Sequence, residues 1–312
     1  MILSRRSLLG ASLTAPLASL GCIADRPANQ RVASRVRNAV RLVDAQPTLE
    51  GAGVHLRRSL GSQLLPMLDP FLLLDEVHSD RPEDYLPGFP THPHRGFETV
   101  TYVLDGAVEH RDSMGNHGRL TAGSAQWMTA GRGLVHSEMP GQREGGMWLF
   151  QFWVNLPRAS KWIRPRYQDI APERVVETHI DDASVRLVAG SLSGRTGPVE
   201  GIVTAPQMLD LRFDGRGRAS VPIAADHTAF AYVIEGQVKV GSDDAPAHAG
   251  QLVVLGAGDL VVAKADSRAR MLLVSAKPIG EPVARGGPFV MNTHEEIRQA
   301  WDDYRSGRLV EP

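Results

Sequence analysis

Tyr102-Val103-Leu104-Asp105-Gly106-Ala107-Val108 recurs 130 residues later as Tyr232-Val233-Ile234-Glu235-Gly236-Gln237-Val238. Each copy is an apolar run, an acidic-Gly turn and a second run, the pattern of a β-hairpin. Two more matches follow in order, Ala122-Gly123 with Ala249-Gly250 and Ala130-Gly131 with Ala257-Gly258, both at an offset of 127. Three ordered matches at a near-constant offset predict two tandem β-domains of one type. The 31 Gly and 21 Pro, with short Val/Leu/Thr/Tyr runs between them, suit β-sandwich or barrel domains. No long helical period occurs before the C-terminus. There, Thr293-His294-Glu295-Glu296 reads as a capping box. A short helix follows, with Ile297, Ala300, Trp301 and Tyr304 on one apolar stripe.

Chemistry concentrates in the first copy. Thr91-His92-Pro93-His94-Arg95-Gly96-Phe97-Glu98 is followed about forty residues later by His136-Ser137-Glu138. Residues two apart on an extended strand point to the same face. His92 and His94 therefore share a face, as do His136 and Glu138. If the two strands face each other, three imidazoles and one carboxylate converge, a mixed nitrogen and oxygen set of the kind that holds non-haem iron. Pro93 excludes a central helix and suits an edge strand.

The repeat tests this reading. Shifting His92 and His94 by 130 reaches Pro222 and Ala224, and shifting His136 and Glu138 by 127 reaches Ala263 and Ala265. None of these side chains binds a metal. The second copy is expected to keep the fold and lack the site, so the four residues of the first copy are not a by-product of strand packing. His179, His227 and His248 are scattered and read as solvated or structural.

Ser4-Arg5-Arg6-Ser7-Leu8-Leu9, followed by an uncharged Gly10–Leu20, reads as a twin-arginine export signal over residues 1–24. Its apolar run is shorter than the ~20 residues of a membrane span. Cleavage after Ala24 is the first expectation, with a periplasmic or otherwise exported product. The second is a lipoprotein anchored at Cys22, since Leu20-Gly21-Cys22 is lipobox-like. Cys22 is the only cysteine, so the remaining chain has no internal disulfide. Residues 25–312 carry 32 basic and 35 acidic side chains, a balance that argues against nucleic acid as a partner.

These residues also resemble a known family. Phe89–Val100, Gln126-Trp127-Met128-Thr129-Ala130-Gly131-Arg132-Gly133, His136-Ser137-Glu138-Met139-Pro140, Trp153–Pro157 and Gly287–Thr293 resemble the pirins, bicupins of the cupin superfamily. The resemblance spans nearly the whole chain after the signal. It implies an all-β protein of two tandem β-barrel (jelly-roll) cupin domains and a short C-terminal helix. We expect an N-terminal cupin over 35–160 holding one metal, and a C-terminal cupin over 161–312 without metal but carrying the helix. The family's ligands fall on His92, His94, His136 and Glu138. Iron is the first expectation for the metal, with Mn, Co, Ni or Zn as alternatives.

The family includes enzymes that open the flavonol quercetin with dioxygen, and nuclear redox-sensitive cofactors of transcription. The first implies a small aromatic substrate and dioxygen as partners, with Glu138 as catalytic base or as a ligand that only tunes the ion. The second implies redox sensing or partner binding without turnover. Trp127 and Met128, on the strand before the second ligand pair, are candidate pocket residues, with barrel core as the competing role. Arg95 and Arg132 read as structural hydrogen-bonders.

Overall fold

A computed structural model describes residues 34–242 and 245–310 and contains two copies of one β-sandwich barrel. The export-signal and Cys22 readings fall on residues outside those described. Among the described residues no helix is long and apolar enough to cross a membrane.

The first barrel pairs a seven-stranded antiparallel sheet with a four-stranded one. The large sheet runs Arg166–Ile170, Ala125–Thr129, Phe97–Asp105, Met147–Asn155, Phe71–Ser79, Val54–Leu60, Gln46–Glu50. The small sheet runs Phe89–His94, Leu134–Pro140, Ala107–Asp112, His117–Thr121. The second barrel repeats the layout, again seven strands over four. The repeated Asp105-Gly106 and Glu235-Gly236 form the hairpin turns, with Gly106 at φ 81° and Gly236 at φ 70°. A Cβ on Gly236 would sit 2.5 Å from the Arg268 carbonyl, so the turn requires glycine.

Strand pairing corrects the register used to compare the copies. His136 lies opposite His92 and Leu134 opposite His94. In the second barrel Ala263 lies opposite Ala219 and Val261 opposite Val221. The counterparts of His92 and His94 are therefore Ala219 and Val221, not Pro222 and Ala224. The first copy turns from one strand to the next through Arg95-Gly96, whereas the second uses the longer Ile223–His227, and that shifts the later repeat. Ala219, Val221, Ala263 and Ala265 are all buried in the apolar core of the second barrel. Where the first barrel carries histidines, the second is filled with hydrocarbon.

The barrels exchange elements, so the chain does not divide near residue 160. Ala39–Asp44, from the start of the described chain, pairs with Gln251–Leu255 at the edge of the second barrel. Arg166–Ile170, beyond the expected boundary, pairs with Ala125–Thr129 in the first. Each exchanged strand covers a sheet edge that would otherwise offer unpaired backbone groups. The C-terminal helix, His294–Arg305, also belongs with the first barrel. Arg95 pairs with Asp303 at 2.7 Å, and the helix shares a core cluster with Val135 and Phe289. Its capping box forms as expected, Glu296 donating its N–H to Thr293 Oγ1 at 3.1 Å and accepting the Thr293 N–H at 2.9 Å. Ile297 and Ala300 are buried, with Trp301 and Tyr304 partly covered.

The two large sheets pack face to face, and the repeated tyrosines join them. Tyr102 of the first barrel donates its hydroxyl to buried Asp210 of the second at 2.7 Å. Tyr232, its repeat equivalent, donates to buried Glu76 of the first at 2.7 Å. Asp210 also takes both arms of Arg270, at 2.9 and 2.7 Å, and Glu76 takes Arg57 at 2.6 Å and Trp148 at 2.9 Å. Burial and the neighbouring carboxylate raise both phenol pKa values, so both remain donors. Tyr102→Phe and Tyr232→Phe are each expected to cost ~1–3 kcal/mol, because a buried carboxylate loses a partner it cannot replace. Urea denaturation measures this, and unchanged midpoints in both variants would show the reciprocal bonds to be dispensable.

Candidate metal centre

The strands Phe89–His94 and Leu134–Pro140 are antiparallel neighbours, which places His136 beside His92. The register slips between His136 and Glu138, where three residues of that strand, 136–138, face four of the other, 89–92. This bulge twists the ribbon and turns the side chains toward one point. The result is a group of three imidazoles, half-buried His92 with buried His94 and His136, with one ring nitrogen of each within 4.8 Å of the others.

Hydrogen bonds identify which nitrogens converge. His92 Nδ1 lies 2.8 Å from the Pro90 carbonyl and His94 Nδ1 3.2 Å from the Pro288 carbonyl. A carbonyl only accepts, so each Nδ1 carries a proton, and in the neutral form of either ring Nε2 presents a lone pair. Those two Nε2 atoms are 3.0 Å apart. Between two such neutral rings, lone pair would face lone pair, an arrangement that a shared cation relieves. His136 is 1% exposed, and neither of its ring nitrogens has a hydrogen-bond partner. Burial, with His94 and His92 nearby, holds the His136 pKa well below the usual imidazole value, and burial does the same for His94. Neutral, desolvated imidazoles with unshared lone pairs are the form a transition metal requires. The three histidines have the donor set, spacing and burial to hold one.

Glu138 lies on the same strand face as His136 but outside the group of three. It is buried, and its Oε1 lies 3.2 Å from the Thr101 hydroxyl. That hydroxyl also lies 2.8 Å from the Gln151 side chain. One hydroxyl proton serves one acceptor, so turning the Gln151 amide completes a chain in which Gln151 donates to Thr101 and Thr101 to Glu138. Burial pushes the Glu138 carboxyl upward, opposed by His92 and Thr101.

The second half of the chain supplies the support behind His94. Gly96 has φ 90°, and a Cβ there would fall 2.0 Å from the Val290 carbonyl. Glycine thus lets the segment around Pro288–Val290 lie against the first barrel, setting the Pro288 carbonyl on His94. Lys161 pins the same segment. Its ammonium donates to the carbonyls of Gly96 at 2.7 Å and Val290 at 2.9 Å and to Asn155 Oδ1 at 2.8 Å. Burial pushes its pKa down to about 8. Arg95 acts structurally as expected, its guanidinium donating to the Arg132 carbonyl and to Asp303, whereas Arg132 takes part through its backbone, which also donates to the Ile163 carbonyl.

Two of the histidines, His92 and His94, border a cavity of about 630 Å³ inside the first barrel. His92, His94 and Glu138 line it, with Val54, Leu56 and Leu149 among its apolar walls. Trp127 and Met128, expected as pocket residues, do not reach it. Both faces of their strand are covered. Trp127 enters the core between the barrels, and Met128 packs with Ala130 and Leu134. The tryptophan of the cavity is Trp153. Along Met147–Asn155 the odd positions Met147, Leu149, Gln151 and Trp153 line the cavity, while Phe150, Phe152 and Val154 enter the inter-barrel core. That alternation was a legible signal. Trp153 meets His94 edge-on with ring centroids 5.3 Å apart.

The Pirin family profile matches residues 53–154, and the profile of the pirin C-terminal cupin domain matches residues 208–310. A pirin-like protein of Caulobacter vibrioides is 44% identical over 276 residues, covering 88% of this chain and 99% of that protein. Pirin of Homo sapiens is 42% identical over 267 residues, covering 83% of this chain and 89% of that protein. The crystal structure of a quercetin 2,3-dioxygenase from Acinetobacter baumannii superposes with a TM-score of 0.82 at 30% identity, covering 88% of this chain and 99% of that one. One profile falls on each barrel and the relatives match almost end to end: the chain belongs to the pirin family of cupin proteins.

Proposed function

We propose that this protein is an exported, metal-dependent dioxygenase that opens a flavonol, or a related phenol, with dioxygen. The carrying observation is the convergence of three imidazoles, two of them at the wall of a largely apolar cavity large enough for a multi-ring aromatic. The Acinetobacter quercetin 2,3-dioxygenase supports this choice of substrate. Export rests on the Arg5-Arg6 signal alone.

His92, His94 and His136 would hold the ion, with Glu138 as the fourth ligand. A bound iron would supply Lewis-acid and oxygen-activating chemistry. The protein's own residues do the rest. Apolar walls exclude water around the substrate rings. Trp153 offers an aromatic surface next to His94. Glu138, held by Thr101, takes the proton of the substrate hydroxyl as it binds.

The test is direct. Iron-loaded protein, mixed with quercetin under oxygen, is expected to remove the flavonol absorbance catalytically. Absence of turnover with any flavonol, on iron, manganese, cobalt or nickel, would overturn the enzyme reading in favour of redox sensing.

A further inference from the structure

The cavity has a polar end that the metal chemistry does not use. Glu50, Arg58, Asp75 and Arg285 line it there. Arg58 is fully engaged. Its Nε and Nη2 each donate to Asp75 at 2.7 Å, and its Nη1 lies 2.7 Å from Glu50. Both carboxylates are thus committed to one guanidinium.

Arg285 is different. It has no ion-pair partner among the described residues, and its one hydrogen bond is long, 3.4 Å from Nη1 to the Leu72 carbonyl. Its guanidinium lies over the Trp153 ring, Cζ 4.7 Å from the centroid. That indole also packs against Phe97 and meets His94 edge-on. Arg285 therefore stands one indole away from the metal end, exposed at the cavity mouth, with most of its N–H donors unspent. It is also well placed to hold still. Its strand, Ala284–Gly286, pairs with Phe289–Met291, the segment pinned by Lys161. The Trp153 ring backs the guanidinium from one side.

We propose that Arg285 is a specificity residue, which selects substrates bearing an anionic oxygen, a carboxylate or phenolate, on the end remote from their metal-binding oxygens. A planar guanidinium with free donors pairs with such a group bidentately, and the stack on Trp153 lowers the ordering cost of doing so. The inference deepens the aromatic-substrate reading and rests on it.

Anaerobic titration of the iron-loaded protein, followed by tryptophan fluorescence, tests it. The probes are 3-hydroxyflavone and its 4′-carboxy and 7-carboxy derivatives. Wild type is expected to bind at least one carboxylated probe about tenfold more tightly than 3-hydroxyflavone, as one charge-assisted contact provides. Arg285→Gln is expected to erase that preference and leave 3-hydroxyflavone binding within about twofold, whereas Arg285→Lys retains part of it. Equal weakening of all three probes in Arg285→Gln, or no change, would overturn the proposal, as would a wild type that binds none of them. Selective binding without turnover would sink only the dioxygenase reading. Turnover with an indifferent Arg285→Gln would sink only the specificity role.

Discussion

His136→Ala is expected to take the protein from one bound transition metal per chain to essentially none. His136 has no other partner for either ring nitrogen, so nothing in the fold replaces it. Removing even an outer partner of a metal ligand costs about 10–100-fold in affinity, and removing a ligand outright is expected to exceed that. The same holds for His92→Ala and His94→Ala, since each supplies a lone pair to the same point. His227→Ala and His248→Ala are expected to leave the metal in place. His227 is half-buried against the Ser275 hydroxyl and His248 is exposed, both in the barrel whose core is apolar. Elemental analysis of the purified variants decides this. Two metals per chain, or full occupancy after loss of His136, would refute the assignment. Circular dichroism separates metal loss from unfolding. The second barrel, which keeps the same architecture with Ala219, Val221 and Ala263 at the equivalent places, indicates that the strands do not need the histidines.

What could be read from the sequence was what repeats or alternates locally. The hairpin repeat predicted two like barrels, and the two-residue spacing of His92 and His94 and of His136 and Glu138 placed each pair on one face. The capping box located the C-terminal helix. Longer-range features left no such trace. Pairing of Ala39–Asp44 with Gln251–Leu255 joins strands over 200 residues apart, and edge pairing of this kind depends on which edges the folded sheets leave open. The carbonyl that orients His94 belongs to Pro288, and a backbone acceptor has no side-chain signature. Trp127 and Met128 misled for a physical reason. Their strand is buried on both faces, so alternation along it does not say which face holds the cavity. The polar residues on one face do say so, because Thr101, Asp75 and Gln151 tolerate burial there only beside other polar groups.

Glu138→Gln is expected to separate ligation from proton transfer. The amide keeps the shape of the side chain and one oxygen, but loses the charge and the basicity. Thr101, 3.2 Å from Oε1, can still donate to the amide oxygen, so the side chain is expected to stay in position. Loss of a negative ligand weakens the hold on the ion, by about 10–100-fold if Glu138 ranks with other tuned positions of metal sites. Saturating the assay with iron removes that effect from the comparison. Any further loss then belongs to chemistry, and for a general base it is expected to be ~10²–10⁴-fold in turnover. Thr101→Val sharpens the distinction. It removes the hydroxyl that holds the carboxylate while leaving the carboxylate itself, so a smaller fall in turnover with unchanged metal content is expected. Quercetin turnover near wild type in metal-saturated Glu138→Gln would remove Glu138 from the proton transfer and leave it a ligand alone. The substrate hydroxyl would then have to lose its proton to water at the cavity mouth, and turnover would follow the ionisation of the free flavonol with pH. In the wild type, a carboxylate waiting beside the histidines makes the step independent of that ionisation, and the two pH profiles tell the cases apart.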